Sequence, residues 1–202
     1  AGQEGAGSTV AEIEVDLGSD QTFCGFPEYE IFADAPLADS FEWYLDGVYI
    51  NTTEDNHMTA TESGEYSVIV YDEQCGSFAE DFVQINLFSE AYAYTTDDII
   101  TCDDSSNDGI ENFDLTIQNE NILGGQEPNQ YSVTYYESYE DAQSGNNAIN
   151  TDYTNSSNPQ QIFARVEHID AIGSNSGCFS ISDFMIEVTL SLIHISEPTR
   201  RL

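Results

Sequence analysis

Alternation with a period of two runs through most of this chain. Ile13, Val15 and Leu17 alternate with Glu12, Glu14 and Asp16, and Tyr29, Ile31 and Ala33 alternate with Glu30 and Phe32. In Ser40–Ile50, Phe41, Trp43 and Leu45 share one face. Successive side chains of a strand point to opposite faces, so such runs bury one side and solvate the other. Glu65–Tyr71 and Phe78–Leu87 read the same way, which gives about seven short strands between 12 and 89 and no convincing helix. Asp46-Gly47 is a two-residue hairpin turn, because both central residues of a type I′ turn need positive φ.

The chain is strongly acidic. The chain carries 38 Asp and Glu, 3 Arg, no Lys and a formal charge of −35. Glu197, Arg200 and Arg201 fall in the last thirteen residues, so ahead of them 37 acids face the single base Arg165. Phosphate recognition exchanges counterions for Lys and Arg, so nucleic acid is excluded as a partner. Anionic membrane surfaces are disfavoured for the same reason. No run of 18 apolar residues exists, so no helical membrane insertion is expected. Acidic chains are often disordered, but 12 Tyr and 11 Phe supply core material here. Self-repulsion at this charge is relieved by salt and bound cations, which suits a saline extracellular medium.

The second half is laid out differently. Ala91–Tyr94, Tyr131–Tyr136, Gln161–Glu167 and Phe179–Thr189 read as strands. Phe113–Ile117 leads into a helical turn over Asn119–Leu123 ended by Gly124-Gly125, and Glu140–Ser144 is a second turn capped by Gly145. The expected fold class is all-β: two tandem Ig-like β-sandwich domains, the second with longer loops and short helical turns. The divisions are a Gly-rich linker over 1–10, a first sandwich over 11–89, a second over 90–189 and a tail over 190–202. The lone Trp43 on the third strand and Ser63-Gly64-Glu65-Tyr66, which resembles a tyrosine corner, carry the Ig-like reading of the first block.

Cys24, Cys75, Cys102 and Cys178 form no CxxC pair, and zinc-site spacing is absent. Two widely spaced pairs fit disulfides and an oxidising compartment. Three pairings are open. Cys24–Cys75 with Cys102–Cys178 is the expectation, since each bond then lies within one block, and loops of that length give roughly 4 kcal/mol each in the chain-entropy model.

Asp104-Ser105-Ser106-Asn107-Asp108-Gly109 places oxygen side chains at alternate positions before a Gly, as in the first half of a calcium loop. Asp104, Ser106 and Asp108 are therefore candidate calcium ligands. Leu115 stands where an EF-hand has its bidentate Glu, so a complete EF-hand is ruled out. The plainer reading is an acidic turn capped by its own side chains. No catalytic motif is present: no nucleophile elbow or Ser-His-Asp signature occurs, and His57 and His168 read as exposed. Arg165 is expected to pair with a carboxylate.

Cys24 … Tyr29 … Trp43-Tyr44-Leu45-Asp46-Gly47 … Ser63-Gly64-Glu65-Tyr66-Ser67-Val68 … Cys75 resembles the Ig-like and PKD-like modules of large cell-surface proteins of gliding bacteria of the Bacteroidetes type. Cys102-Asp103-Asp104 … Asn107-Asp108-Gly109 … Phe113-Asp114-Leu115, then Val133-Thr134-Tyr135-Tyr136 … Asp141-Ala142, then Phe163-Ala164-Arg165-Val166 and Gly177-Cys178, resembles a recurrent pattern of the same proteins. The resemblance implies export, often by the type IX route, a cell-surface location, and a non-catalytic structural or adhesive role beside neighbouring domains of the same chain. A surface polysaccharide or protein ligand is compatible with it. The alternative is a carbohydrate-binding module attached to a secreted polysaccharide-degrading enzyme, with Tyr44 and Tyr49, or Tyr135, Tyr136 and Tyr139, as a sugar platform. Finally, Leu190–Arg200 resembles a translated sequencing adapter, so residues 190–202 are expected to be foreign to the fold.

Overall fold

The computed structural model describes residues 12–172 and 177–189. The proposed linker over 1–10 and the tail over 190–202 lie outside these residues. The chain divides into two compact units, 1–89 and 90–202.

Unit 1 is a two-layer β-sandwich. One layer contains β1 (Gln21–Cys24), β7 (Ser77–Phe88), β6 (Gly64–Asp72), β3 (Ser40–Leu45) and β4 (Val48–Thr53), in that spatial order. The other pairs β2 (Tyr29–Phe32) with β5 (His57–Ala60). The core between them holds Ile31, Ala33 and Ala60 from the small sheet side and Phe41, Trp43, Tyr66, Val68, Val70, Val83 and Ile85 from the large sheet. The alternation that predicts these strands is the alternation that fills this core. Trp43 is fully buried, and its indole N–H donates to Thr53 Oγ1 at 3.1 Å. Asp46 and Gly47 both have positive φ, at 50° and 74°, as the hairpin between β3 and β4 requires. The Tyr66 hydroxyl donates to the Glu62 carbonyl at 3.1 Å, which is the hydrogen bond of a tyrosine corner.

Two expected strands are not strands. Residues 12–17 make only the isolated bridge Asp16–Asp34, although Ile13 and Leu17 are buried. The first strand is instead β1, which runs parallel to the end of β7, with Cys24 beside Phe88. It lies at a sheet edge and all four residues are half-buried, so it has no alternation to read.

Unit 2 repeats the plan. Its larger sheet orders β10 (Tyr131–Tyr136), β12 (Gln160–His168), β13 (Phe179–Thr189) and β8 (Ile99–Cys102). Its smaller sheet pairs β9 (Asn112–Asp114) with β11 (Asp152–Thr154). Again the first strand lies parallel to the end of the last, with Cys102 beside Thr189. The predicted strand at 91–94 is absent. Ala91 packs in the core and the Tyr94 N–H donates to the Ile122 carbonyl, so this segment covers the helix instead of joining a sheet. A 3-10 turn (Leu115–Gln118) runs into α1 (Asn119–Leu123), capped by Gly124. The helix α2 (Tyr139–Ser144) is capped by the Ser138 hydroxyl and by Gly145 at φ 70°. It occupies the connection that β4 occupies in unit 1. The whole is all-β: two tandem Ig-like sandwiches, the second with longer loops and short helical turns. Among the described residues no helix is long and apolar enough to cross a membrane.

Candidate functional site

Each unit carries one cysteine at the end of its first strand and one in its last hairpin. Cys24 ends β1, and Cys102 ends β8. Cys75 lies in the β6–β7 turn next to Gly76, and Cys178 directly precedes β13 next to Gly177. The sheet registers separate the two within each unit. Cys24 sits beside Phe88 at one end of β7, whereas Cys75 precedes Ser77 at the other end. At a strand rise of about 3.3 Å per residue, that is roughly 35 Å. Cys102 sits beside Thr189, and Cys178 precedes Phe179, again a strand length of roughly 30 Å. A disulfide needs Cα atoms within about 7 Å.

The expected pairing within blocks is therefore wrong. Cys24 and Cys178 are disulfide-bonded, while Cys75 and Cys102 are exposed free thiols. The sequence shows that each block carries two widely spaced cysteines. It does not show that the two stand at opposite poles of one sandwich. Cys75 is held by its turn: Asp72 Oδ1 accepts the N–H groups of Gln74 and Cys75, both at 2.9 Å. Its thiol pKa lies above the ordinary range, because the Asp72 carboxylate accepts from it and repels the thiolate.

The acidic loop between β8 and β9 is the second feature. One carboxylate oxygen from each of Asp103, Asp104 and Glu111 lies within 4.8 Å of the others. Asp103 Oδ2 accepts the Gly109 N–H at 2.7 Å, and Glu111 Oε1 accepts the Asp104 N–H at 2.6 Å. Of the three expected ligands, Asp104 joins this cluster. Its Oδ1 accepts the Ser106 N–H at 2.7 Å, and hydrogen bonds from Ser106 hold its carboxyl below the usual range. Asp108 is outside the cluster and accepts the Ile110 N–H at 3.0 Å. Asn155, buried and invisible to a motif search, positions the loop: its Oδ1 accepts the Glu111 N–H and its Nδ2 donates to the Gly109 and Ser157 carbonyls.

Arg165 does pair with a carboxylate. Nη2 and Nε donate to the two oxygens of Glu167 at 2.8 and 3.1 Å. Nη1 donates to the Ala142 and Gln143 carbonyls at the end of α2, and the guanidinium lies 3.6 Å from the centre of the Phe179 ring. It is a structural clamp between α2 and the large sheet. His168 is buried, contrary to expectation: it meets the Tyr131 ring edge-on, and its Nδ1 accepts the Asp170 N–H. The aromatic platforms are not built. Tyr44 and Tyr49 meet at 77°, and of Tyr135, Tyr136 and Tyr139 only the last is exposed.

Residues 98–192 match the family described as the Flavobacterium inter-domain disulphide bond domain. No curated protein matches the chain. Among solved structures, fibronectin(III)-like modules of Clostridium thermocellum CbhA share 20% identity over 38% of this chain and 96% of theirs, at a TM-score of 0.31. Sidekick-1 immunoglobulin domains 1–5 share 11% identity over 89% of this chain and 40% of theirs, at a TM-score of 0.49. The PKD domain from human KIAA0319 shares 17% identity over 48% of this chain and 98% of its own, at a TM-score of 0.33.

Proposed function

We propose that this chain is a covalently stapled pair of spacer modules from a bacterial cell-surface protein, and that Cys24 and Cys178 bond to each other across the two units. One observation carries the reading: the two bonded cysteines lie in different units while the other two are free thiols. The family matched by the second unit is named for a bond between domains. Disulfides form and persist mainly in oxidising compartments, which supports a location outside the cytoplasm. The acidic surface keeps such a chain soluble in a saline medium. An adhesive role, type IX export and a ligand on a partner surface rest on the resemblance alone. No geometry here favours carbohydrate recognition over spacing.

The staple gives the module a mechanical property. Tension along the chain reaches Cys24 from one side and leaves after Cys178 on the other. With the bond closed, residues 25–177 are bypassed by the load. A spacer built this way keeps its length when pulled, even if a sandwich opens.

The test is a protease site inserted between Ser89 and Glu90. After cleavage the halves are expected to migrate together without reductant and to separate with it. Cys24→Ser is expected to let them separate in both conditions. Separation of the parent halves without reductant would overturn the proposal.

A further inference from the structure

Unit 2 buries a carboxylate that its own donors do not satisfy. Asp103, the residue after β8, is more than nine-tenths buried, and its Oδ1 has no hydrogen-bond partner. The other oxygen, Oδ2, accepts the Gly109 N–H at 2.7 Å. A buried carboxylate oxygen without a donor has lost water and gained nothing in exchange, which is costly. The surroundings raise that cost. One oxygen from each of Asp103, Asp104 and Glu111 lies within 4.8 Å of the others, and like charges at such a distance repel. No basic side chain is at hand to offset them. Arg165 is the one Lys or Arg between residues 12 and 189, and it is bound to Glu167.

We propose that Asp103, Asp104 and Glu111 hold a divalent cation, calcium by preference. Each carboxylate uses one oxygen to shape the loop. Asp103 Oδ2 takes the Gly109 N–H, Asp104 Oδ1 takes the Ser106 N–H at 2.7 Å, and Glu111 Oε1 takes the Asp104 N–H at 2.6 Å. An ionised carboxylate has about four lone-pair sites, so each keeps capacity for an ion, and these hydrogen bonds orient all three groups before it arrives. Asp103 is buried, Glu111 is half-buried and Asp104 is exposed. The ion therefore enters from the Asp104 side, where water can complete the six to eight oxygens that calcium takes. Hard oxygen donors on a turn-rich loop suit calcium better than the rigid octahedron of magnesium. The set differs from Asp104, Ser106 and Asp108, which the spacing alone suggests, because the Asp108 carboxylate is engaged by the Ile110 N–H outside the cluster.

The ion would brace one pole of unit 2. The loop over 103–111 is already tied to two other segments. The Asp103 N–H donates to the Thr189 carbonyl at the end of β13 at 3.0 Å. Asn155 holds the Glu111 N–H and the Gly109 carbonyl. Asn158 in turn bonds Val188 both ways, donating to its carbonyl at 2.7 Å and accepting its N–H at 2.9 Å. A cation on the three carboxylates relieves their repulsion at the point where these segments meet. Unit 1 has no comparable cluster among the described residues, so the gain in stability falls on unit 2 alone.

Calorimetric titration of the full chain with calcium chloride, in sodium chloride that holds the ionic strength constant, is the first test. One site is expected, with a Kd on the order of 0.1–1 mM, the range of sites in extracellular modules. Asp103→Asn and Glu111→Gln should each weaken it at least tenfold. Asp108→Asn keeps an oxygen for the Ile110 N–H and should bind as the parent does. Near-ultraviolet circular dichroism establishes that each variant is folded, and Glu111→Gln carries the test should Asp103→Asn not fold. Thermal melting separates a site from general screening. Saturating calcium should raise the unit 2 transition by a few degrees over sodium chloride at the same ionic strength and leave unit 1 in place, whereas screening moves both units alike. With reductant present, the result does not depend on the Cys24–Cys178 bond. Equal effects of the two salts on unit 2, parent-like calcium binding by folded Glu111→Gln, or loss of binding in folded Asp108→Asn would each overturn the site.

Discussion

The two sandwiches share a strand plan and almost nothing else. In both, a short first strand lies parallel to the last, and the remaining strands of the large sheet follow in the same order. The cores differ. Unit 1 is centred on Trp43 and closes its sheet with the exposed β4. Unit 2 is centred on Tyr135, whose hydroxyl donates to the Leu115 carbonyl and Asn119, and it replaces β4 by α2 clamped under Arg165. What persists is backbone pairing and the placement of cysteines. A sandwich is specified by its backbone pairing and strand order, while its interior needs only to be filled.

The largest expected effects come from removing Trp43 from the centre of unit 1 and the Arg165 clamp from unit 2. Trp43→Ala should cost unit 1 about 3–5 kcal/mol through lost burial and the cavity it leaves. Arg165→Ala should cost unit 2 a similar amount, about 3–5 kcal/mol, because it leaves nearly buried Glu167 without its partner and frees α2. Thermal melting with reductant present should show one transition move while the other stays. A shift of both by the same amount in either variant would mean that the units are not independent in stability.

The next comparison is between the stapled and the reduced chain under load. With the bond closed, extension from the two ends in a single-molecule pull should omit residues 25–177. Reduction should add roughly 500 Å of contour length, at about 3.5 Å per residue. Equal lengths in the two conditions would break the proposed shielding.

How legible all this was depended on burial. The strands facing the core, such as Tyr66–Val70 and Ile162–Val166, announce themselves because one face is apolar. The tyrosine corner, the Asp46-Gly47 turn and the Gly145 cap are local chemistry and read directly. β1 and β8 do not, because an edge strand half-buried along its length has no period, and its pairing is fixed by a strand more than 60 residues away. The cysteine pairing depends on that register, so the sequence alone points to the wrong pairs. The acidic loop was found by its spacing, but its clustered carboxylates include Asp103 and Glu111. Those meet only because Asn155, distant in sequence, folds the loop back.

A smaller effect separates the two units by pH. Hydrogen bonds from Ser138 and Asn147 hold the Asp141 carboxyl at the start of α2 below its ordinary pKa. A depressed folded-state pKa gives stability that is present above the unfolded value and is lost as pH falls through the folded one. Unit 2 should therefore lose the α2 contribution below about pH 4, and Asp141→Asn should flatten that slope. Unit 1 has no helix at the equivalent place, so its acid response should not change with the substitution.

The last prediction compares the two free thiols. Both are exposed, but only Cys75 sits on a carboxylate, and Asp72 raises its pKa by accepting its hydrogen bond and by its charge. Thiolate is the reactive form, so near neutral pH Cys75 should alkylate slowly with iodoacetamide, and its rate should keep rising above the usual thiol range of pH. Asp72→Asn removes the charge while keeping an acceptor for the N–H groups of Gln74 and Cys75. It should speed labelling of Cys75 a few-fold and leave Cys102 as it was. Mass spectrometry of the labelled peptides over time separates the two sites in one sample. An unchanged Cys75 rate would mean that the turn geometry, and not the carboxylate, sets its reactivity. If the rate does change, the Asp72 carboxylate is what keeps the Cys75 thiol protonated near neutral pH.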